Sequence, residues 1–143
     1  MIHLLRFATG VLLITVALAP GVPAQAQSPV AGKTASDTNT LAGDWLGDSI
    51  CVVRESACHD EKALYHVRKS GDQPNRFSLQ ADKIVDGHPE VMGTMECIYA
   101  PNAHTLHCEL PKGVVNLTLQ GARLEGNMKL MDGTLWRNIT LKK

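Results

Sequence analysis

The sequence predicts an all-β fold, an eight-stranded antiparallel up-and-down (meander) barrel, and two observations lead to this prediction. From Leu41 onward, apolar and polar residues alternate with a period of two, and turn residues interrupt the alternation at short intervals. All but one of the connections are short, so each strand is expected to pair with the next. A meander of eight strands can remove both of its edges by closing into a barrel.

Each strand is predicted from a run of alternating residues that ends at a turn rich in Gly, Pro, Asn or Asp. The first strand is followed by the polar loop 54–62, which is the one long connection. In chain order the predicted strands are 43–53, 63–69, 76–84, 90–99, 105–110, 114–119, 123–130 and 134–141, and the later turns are 70–75, 86–89, 101–104, 111–113, 120–122 and 131–133.

Apolar residues fall on one face of every predicted strand, and this face is expected to line the barrel interior. The inward residues are Trp45, Tyr65, Val67, Phe77, Leu79, Val91, Met95, Leu106, Leu110, Val115, Leu117, Leu119, Leu124, Met128, Leu135, Ile139 and Leu141. Arg137 shares the parity of Leu135 and Ile139, so its guanidinium is also expected inside, where it needs a partner. We predict that Arg137 lies across the Trp45 ring and closes one end of the barrel by a cation–π contact.

These residues resemble a known superfamily. The Gly43-Asp44-Trp45 motif on the first strand, the inward Arg137 on the last strand, the strand count and the domain length are similar to calycins. That superfamily contains the lipocalins, the avidins, the fatty-acid-binding proteins and the lipocalin-like bacterial inhibitors of secreted metalloproteases. The chain lacks the second motif of classical lipocalins and the regularly placed tryptophans of an avidin biotin site. The resemblance therefore implies a lipocalin/avidin-like barrel over 41–143, without implying biotin or a classical lipocalin.

The N-terminus has the residue order of a secretory signal peptide. Arg6 precedes an apolar run from Ala8 to Ala19, and small residues lead to a predicted cleavage site after Ala26. We therefore expect a signal peptide at 1–26, a disordered leader at 27–40 and a single β-barrel domain at 41–143. The mature protein is expected to be exported, either to a periplasm or out of the cell, and to be a monomer.

Four cysteines in a small exported domain predict two disulfides, and four cysteines allow three connectivities. If Cys97 faces Cys108 across a hairpin, Tyr99 faces Leu106 and Met95 faces Leu110, all in one inward register. Cys51 and Cys58 would then close the loop between the first two strands. The alternative is a bridge from this loop into the 97–108 hairpin.

Charge and motifs exclude several classes of function. Fourteen basic and fourteen acidic side chains are interspersed, so we expect no nucleic-acid partner, and no apolar run is long enough to span a membrane. The string Gly47-Asp48-Ser49-Ile50 resembles the nucleophile block of GDSL esterases, but that family needs an Asp-x-x-His near its C-terminus and no histidine follows His107. His59, His104 and His107 lack the spacing of metal ligands. We expect no enzyme activity, no catalytic residue, no metal and no cofactor.

Two functions remain. The first is a barrel that binds a small apolar or amphipathic ligand in its lumen, for which the candidate residues are Tyr65, Phe77, Met95 and Met128. The second is an inhibitor or interaction module that acts on a secreted protein such as a protease. The resemblance to the metalloprotease inhibitors implies that the leader 27–40 would engage the partner. The Cys51 to Cys58 loop, with Arg54 and Glu55, could do the same.

Overall fold

The structure is a computed structural model, and it describes residues 40–143. The predicted signal peptide at 1–26 and positions 27–39 of the predicted leader lie outside the described residues. The strands are β1 (Gly43–Cys51), β2 (Glu61–Lys69), β3 (Arg76–Val85), β4 (His88–Ala100), β5 (Thr105–Leu110), β6 (Gly113–Gln120), β7 (Arg123–Leu130) and β8 (Leu135–Lys142). Their ends agree with the predicted ends to within two residues.

The eight strands form one closed antiparallel barrel in sequence order. Each strand pairs with the next, and β8 returns to pair with β1, where Ser49 faces Ile139. The predicted all-β meander barrel is therefore confirmed. Two glycines permit close contact between neighbouring strands, because a Cβ on Gly47 or Gly126 would collide with a backbone carbonyl oxygen of the adjacent strand.

The core fills the end of the barrel at which β1 begins, which we call the closed end. Trp45 is fully buried there, and its indole Nε1–H donates a hydrogen bond to the carbonyl oxygen of Leu41 at 2.9 Å. Phe77 and Tyr99 make an edge-to-face contact, with ring centroids 6.2 Å apart. The opposite end, where β1 finishes at Cys51, is called the open end.

The predicted contact between Trp45 and Arg137 is wrong. The cation over the indole is Lys143, whose Nζ lies 5.2 Å from the ring centroid. Arg137 instead faces Cys51 in the β1–β8 register, six residues further along β1. At about 3.3 Å per residue this separation is roughly 20 Å, which is beyond the reach of an arginine side chain. Side-chain parity predicted the correct face for Arg137, but its position along the barrel depends on the strand register.

Both predicted disulfides are present. Cys51 and Cys58 close the loop after β1, with their Cα atoms 6.0 Å apart. Cys97 and Cys108 face each other across β4 and β5, with a Cα separation of 4.2 Å. The alternative bridge between the loop and the hairpin is therefore wrong.

The β4–β5 ladder is shorter than predicted. Its register comprises four pairs, from the Cys97–Cys108 pair to the turn, and the predicted pair of Met95 with Leu110 does not form. The next position would place Glu96 opposite Glu109, and like charges directly opposite each other destabilise a ladder. Glu96 instead accepts a hydrogen bond from the Ser70 hydroxyl at 2.9 Å. The two strands therefore separate towards the open end.

A β-bulge between β3 and β4 changes which side chains point inward. The register shifts between Ala81, which faces Gly93, and Asp82, which faces Val91. The extra residue, Met92, reverses the alternation beyond it, and Val91 is 66% exposed. The prediction that Val91 lies inside is therefore wrong, because a bulge is not visible in the period-two pattern.

Candidate functional site

A cavity of about 350 Å³ lies at the open end of the barrel. This is the volume that on the order of a dozen water molecules occupy in the liquid. The cavity is lined by Ser49, Glu61, Tyr65, Ala81, Met92, Gly93, Thr94, Met95, Glu109, Leu110, Pro111, Val115, Met128 and Arg137. One side of it is formed by the parts of β4 and β5 that lie beyond the end of their ladder.

The apolar part of the cavity lining, here called the wall, is rich in methionine. Met92 and Met95 come from β4, Met128 comes from β7, and Leu110 and Val115 complete the wall. Methionine is unbranched and polarisable, so it adapts its shape to the group that it contacts. A wall of this kind suits apolar chains of varied shape.

The polar part of the cavity lining, here called the floor, is organised around Arg137. One guanidinium nitrogen donates to the backbone oxygen of Ser49 at 3.0 Å and to its hydroxyl at 2.9 Å. The other donates to the backbone oxygen of His59 at 2.6 Å and forms an ion pair with Glu61 at 3.1 Å. The side chains of Arg137 and Glu61 are 12% and 22% exposed, so most of this ion pair is removed from solvent.

Strand register explains why residues so distant in sequence meet here. Ser49 on β1 faces Glu61 on β2 and Ile139 on β8, and Arg137 lies two residues before Ile139. The long loop is held against the strand because the carboxylate of Asp60 accepts a hydrogen bond from the Cys51 amide at 2.8 Å. The floor is therefore built by barrel closure and by the disulfide loop together.

Tyr65 completes the floor. It is 5% exposed, and its hydroxyl lies close to the side chain of Ser49. Burial raises the pKa of Tyr65 to about 12, because the charged phenolate loses its hydration; nearby Arg137 opposes this rise and Glu61 adds to it. The phenol is consequently uncharged near neutral pH and can both donate and accept a hydrogen bond.

Three of the four predicted lumen residues line the cavity: Tyr65, Met95 and Met128. The fourth, Phe77, does not. Its side chain is fully buried in the closed end against Tyr99, because β3 starts at that end.

Sequence reasoning missed Ser49 and Glu61 as cavity residues. Ser49 shares the parity of Trp45, so the alternation already contained the signal for an inward serine. The sequence predicts Glu61 to be a polar loop residue, since nothing in it indicates that β2 begins there. Met92 enters the wall through the bulge.

The chemistry available at the floor is hydrogen bonding and charge pairing. The Ser49 hydroxyl accepts a hydrogen bond from Arg137 and lies close to Tyr65. A guanidinium and a phenol are not general bases at neutral pH, so neither neighbour activates the serine as a nucleophile. Within residues 40–143, no group of three or more His, Cys, Asp and Glu side chains is arranged to hold a metal ion. In the same range, no helix is long and apolar enough to cross a membrane.

No protein-family model matches this chain, and a search of curated proteins finds no significant match.

Proposed function

We propose that the mature chain is an exported, non-catalytic, calycin-like barrel that binds a small apolar or amphipathic ligand in the open-end cavity. The observation that carries this proposal is a cavity of about 350 Å³ with an apolar wall and a polar floor. Ligand sites in proteins are usually concave and mostly apolar, with a few polar groups that orient the ligand. The volume lies near the lower limit of about 300 Å³ for such sites, so the ligand is small.

Export is supported by the order of residues at the N-terminus and by the cysteines. A charged residue, an apolar run and a small-residue cleavage site after Ala26 are typical of a secretory signal peptide. All four cysteines are in disulfides, which form and persist in oxidising compartments. Kinship with the calycins is supported by the closed eight-stranded barrel and by the buried Trp45 on its first strand.

An interaction module remains the second candidate, and the disulfide loop favours it. The Cys51 to Cys58 loop exposes Arg54 and Glu55 at the open end, and Val52 beside them is 40% exposed. Thr40, where the predicted leader ends, lies at the closed end close to Lys143. A partner that contacted both the leader and the loop would therefore have to reach both ends of the barrel.

The first test is native mass spectrometry of the mature protein, purified from the export compartment of its own host, before and after denaturation. The ligand-binding proposal predicts an extra mass that is lost on denaturation. The covalent mass should match residues 27–143 less four hydrogens, since two disulfides are formed. An uncleaved N-terminus would contradict export, and a native protein that carries no small molecule would contradict the retained ligand.

Two matched tryptophan substitutions separate the candidates. Met128→Trp fills the cavity, whereas Leu46→Trp adds the same ring on the outside of the barrel, where Leu46 is 55% exposed. If the ligand occupies the cavity, the extra mass disappears in Met128→Trp and remains in Leu46→Trp, with both variants folded by circular dichroism. An interaction module would instead retain partner binding in Met128→Trp and lose it on Arg54→Ala with Glu55→Ala, or on deletion of 27–39.

A further inference from the structure

The charges on the cavity floor are already paired within the protein. Arg137 and Glu61 form an ion pair at 3.1 Å, and both side chains are mostly buried. Taken together, the two groups contribute no net charge to the floor. This pairing bears on the chemical class of the ligand, an inference that rests on the proposed function.

An anionic head would find no available cation on this floor. Both terminal nitrogens of Arg137 are engaged, with Ser49, with His59 and with Glu61. A carboxylate would have to displace Glu61 from Arg137, and two negative charges would then compete for one guanidinium. Glu109 lies at the edge of the cavity and adds a second negative charge there.

A cationic head would also lose more than it gains. On the floor it would meet Arg137 together with Glu61, whose charge is already neutralised. The Glu109 side chain is 85% exposed, so water and salt screen its attraction for a ligand inside the cavity. A charge that leaves water without an unpaired counter-charge carries a large desolvation penalty.

An uncharged polar head suits the same floor. Tyr65 and Ser49 present hydroxyl groups, and both hydroxyls can donate or accept. A ligand hydroxyl or amide can exchange hydrogen bonds with them while the ion pair stays intact. The methionines of the wall tolerate tails of different shape, because their side chains adapt.

We propose that the ligand is an uncharged amphipath with a hydroxyl or amide head and a flexible apolar tail. The head lies against Tyr65 and Ser49, and the tail lies against Met92, Met95 and Met128. Selectivity resides in the charge of the head, and the tail is recognised loosely.

The test is a series of ligands with one tail and three heads: 1-decanol, decanoate and decylammonium, titrated into the mature protein at pH 7 by calorimetry. The expected result is that 1-decanol binds at least about tenfold more tightly than either ion, a difference of about 1.4 kcal/mol. If decanoate or decylammonium binds as tightly as 1-decanol or more tightly, the inference is wrong and the ligand-binding function stands. If none of the three binds, the proposed function fails with it.

Removing one partner of the Arg137–Glu61 ion pair should change which ligand head group the cavity binds most tightly. Glu61→Gln leaves Arg137 without its counter-charge, so the affinity for decanoate should rise at least about tenfold relative to 1-decanol. Arg137→Met leaves Glu61 alone and should favour decylammonium in the same way. Glu125→Gln is the matched control, because it breaks the ion pair of Glu125 with Arg123 outside the cavity. If the folded Glu61→Gln variant ranks the three ligands as the wild type does, the ion pair does not exclude anions and the inference is wrong. If that variant does not fold, the relative affinities of the three ligands for the wild-type protein test the inference.

Discussion

The ammonium group of Lys143 lies 5.2 Å from the centroid of the Trp45 ring and covers the closed end of the barrel. The same Nζ donates to the backbone oxygens of Thr40 and Ala42, the latter at 2.7 Å. Lys143, the residue that follows β8, is thus tied to the segment that precedes β1.

Replacing Lys143 by Met should lower the free energy of unfolding by about 1 kcal/mol. The change keeps an apolar stem but removes a cation–π contact and two hydrogen bonds, each of modest value at an exposed site. Urea denaturation measures the effect, with Lys142→Met as the control of equal charge change. Equal midpoints for the two variants would contradict the role assigned to Lys143.

Truncating Trp45 to Ala should destabilise the barrel by about 3 to 5 kcal/mol. The indole is fully buried, so its removal leaves a cavity and strands the carbonyl oxygen of Leu41 without its donor. Trp136 is only partly buried and serves as the control, because Trp136→Ala should lower the free energy of unfolding much less. Thermal or urea unfolding of both variants checks the difference, and similar losses would contradict it.

Arg137→Met should destabilise the protein by about 2 to 4 kcal/mol, because it leaves the carboxylate of Glu61 and the oxygens of Ser49 without their donor. The control is Arg123→Met, which removes the exposed partner of Glu125 and should change stability by less than about 1 kcal/mol. The two midpoints in urea are compared at low and at high salt. If Arg137→Met lowers the free energy of unfolding no more than Arg123→Met does, the floor contributes little to stability.

Tyr65 should titrate near pH 12 in the folded protein. Its pKa is raised above the ordinary value of 10.0, so its contribution to stability is complete below pH 10 and is lost as the pH rises through about 12. Absorbance at the phenolate band, recorded immediately after a pH jump, should contain this late component in the wild type and in Tyr99→Phe. It should be absent in Tyr65→Phe, and its persistence there would assign it to another group.

Glu109→Lys should stabilise the barrel by roughly 0.5 to 1 kcal/mol. The β4–β5 ladder ends at the Cys97–Cys108 pair, and extending it by one position would place the new cation opposite Glu96 instead of two like charges opposite each other. Glu55→Lys in the disulfide loop makes the same charge change without a partner across a ladder and should have a much smaller effect. Slower amide exchange at Met95 and Glu96 in Glu109→Lys would report the longer ladder, and unchanged exchange would contradict it.

Much of the fold could be predicted from local pattern. The alternation around Tyr65 and Val67, and the turns between the strands, predicted eight strands with nearly correct ends. The coherent inward register of Cys97 with Cys108 predicted their disulfide, and the two residues are bonded. These features depend only on neighbouring residues or on a single hairpin, so they can be predicted from one sequence without an alignment.

The candidate site could be predicted only in part. Parity alone predicts that Tyr65, Met95 and Met128 face the lumen, and they line the cavity. Parity gives the face of a strand but not the height of a residue along the barrel, so it could not separate Phe77 at the closed end from the cavity residues.

By itself, the sequence determined the alternation and the turns, which predict an antiparallel β-barrel, and it favoured the local pairing of the cysteines that the structure contains. Only the tertiary structure decided which end is filled and which end is hollow. The register between β1 and β8, two strands far apart in sequence, places Lys143 over Trp45 and brings Arg137 to Glu61. The bulge opposite Asp82 likewise turns Val91 outward. Register and bulges are set by the packing of the whole closed sheet, and no local pattern of residues records them.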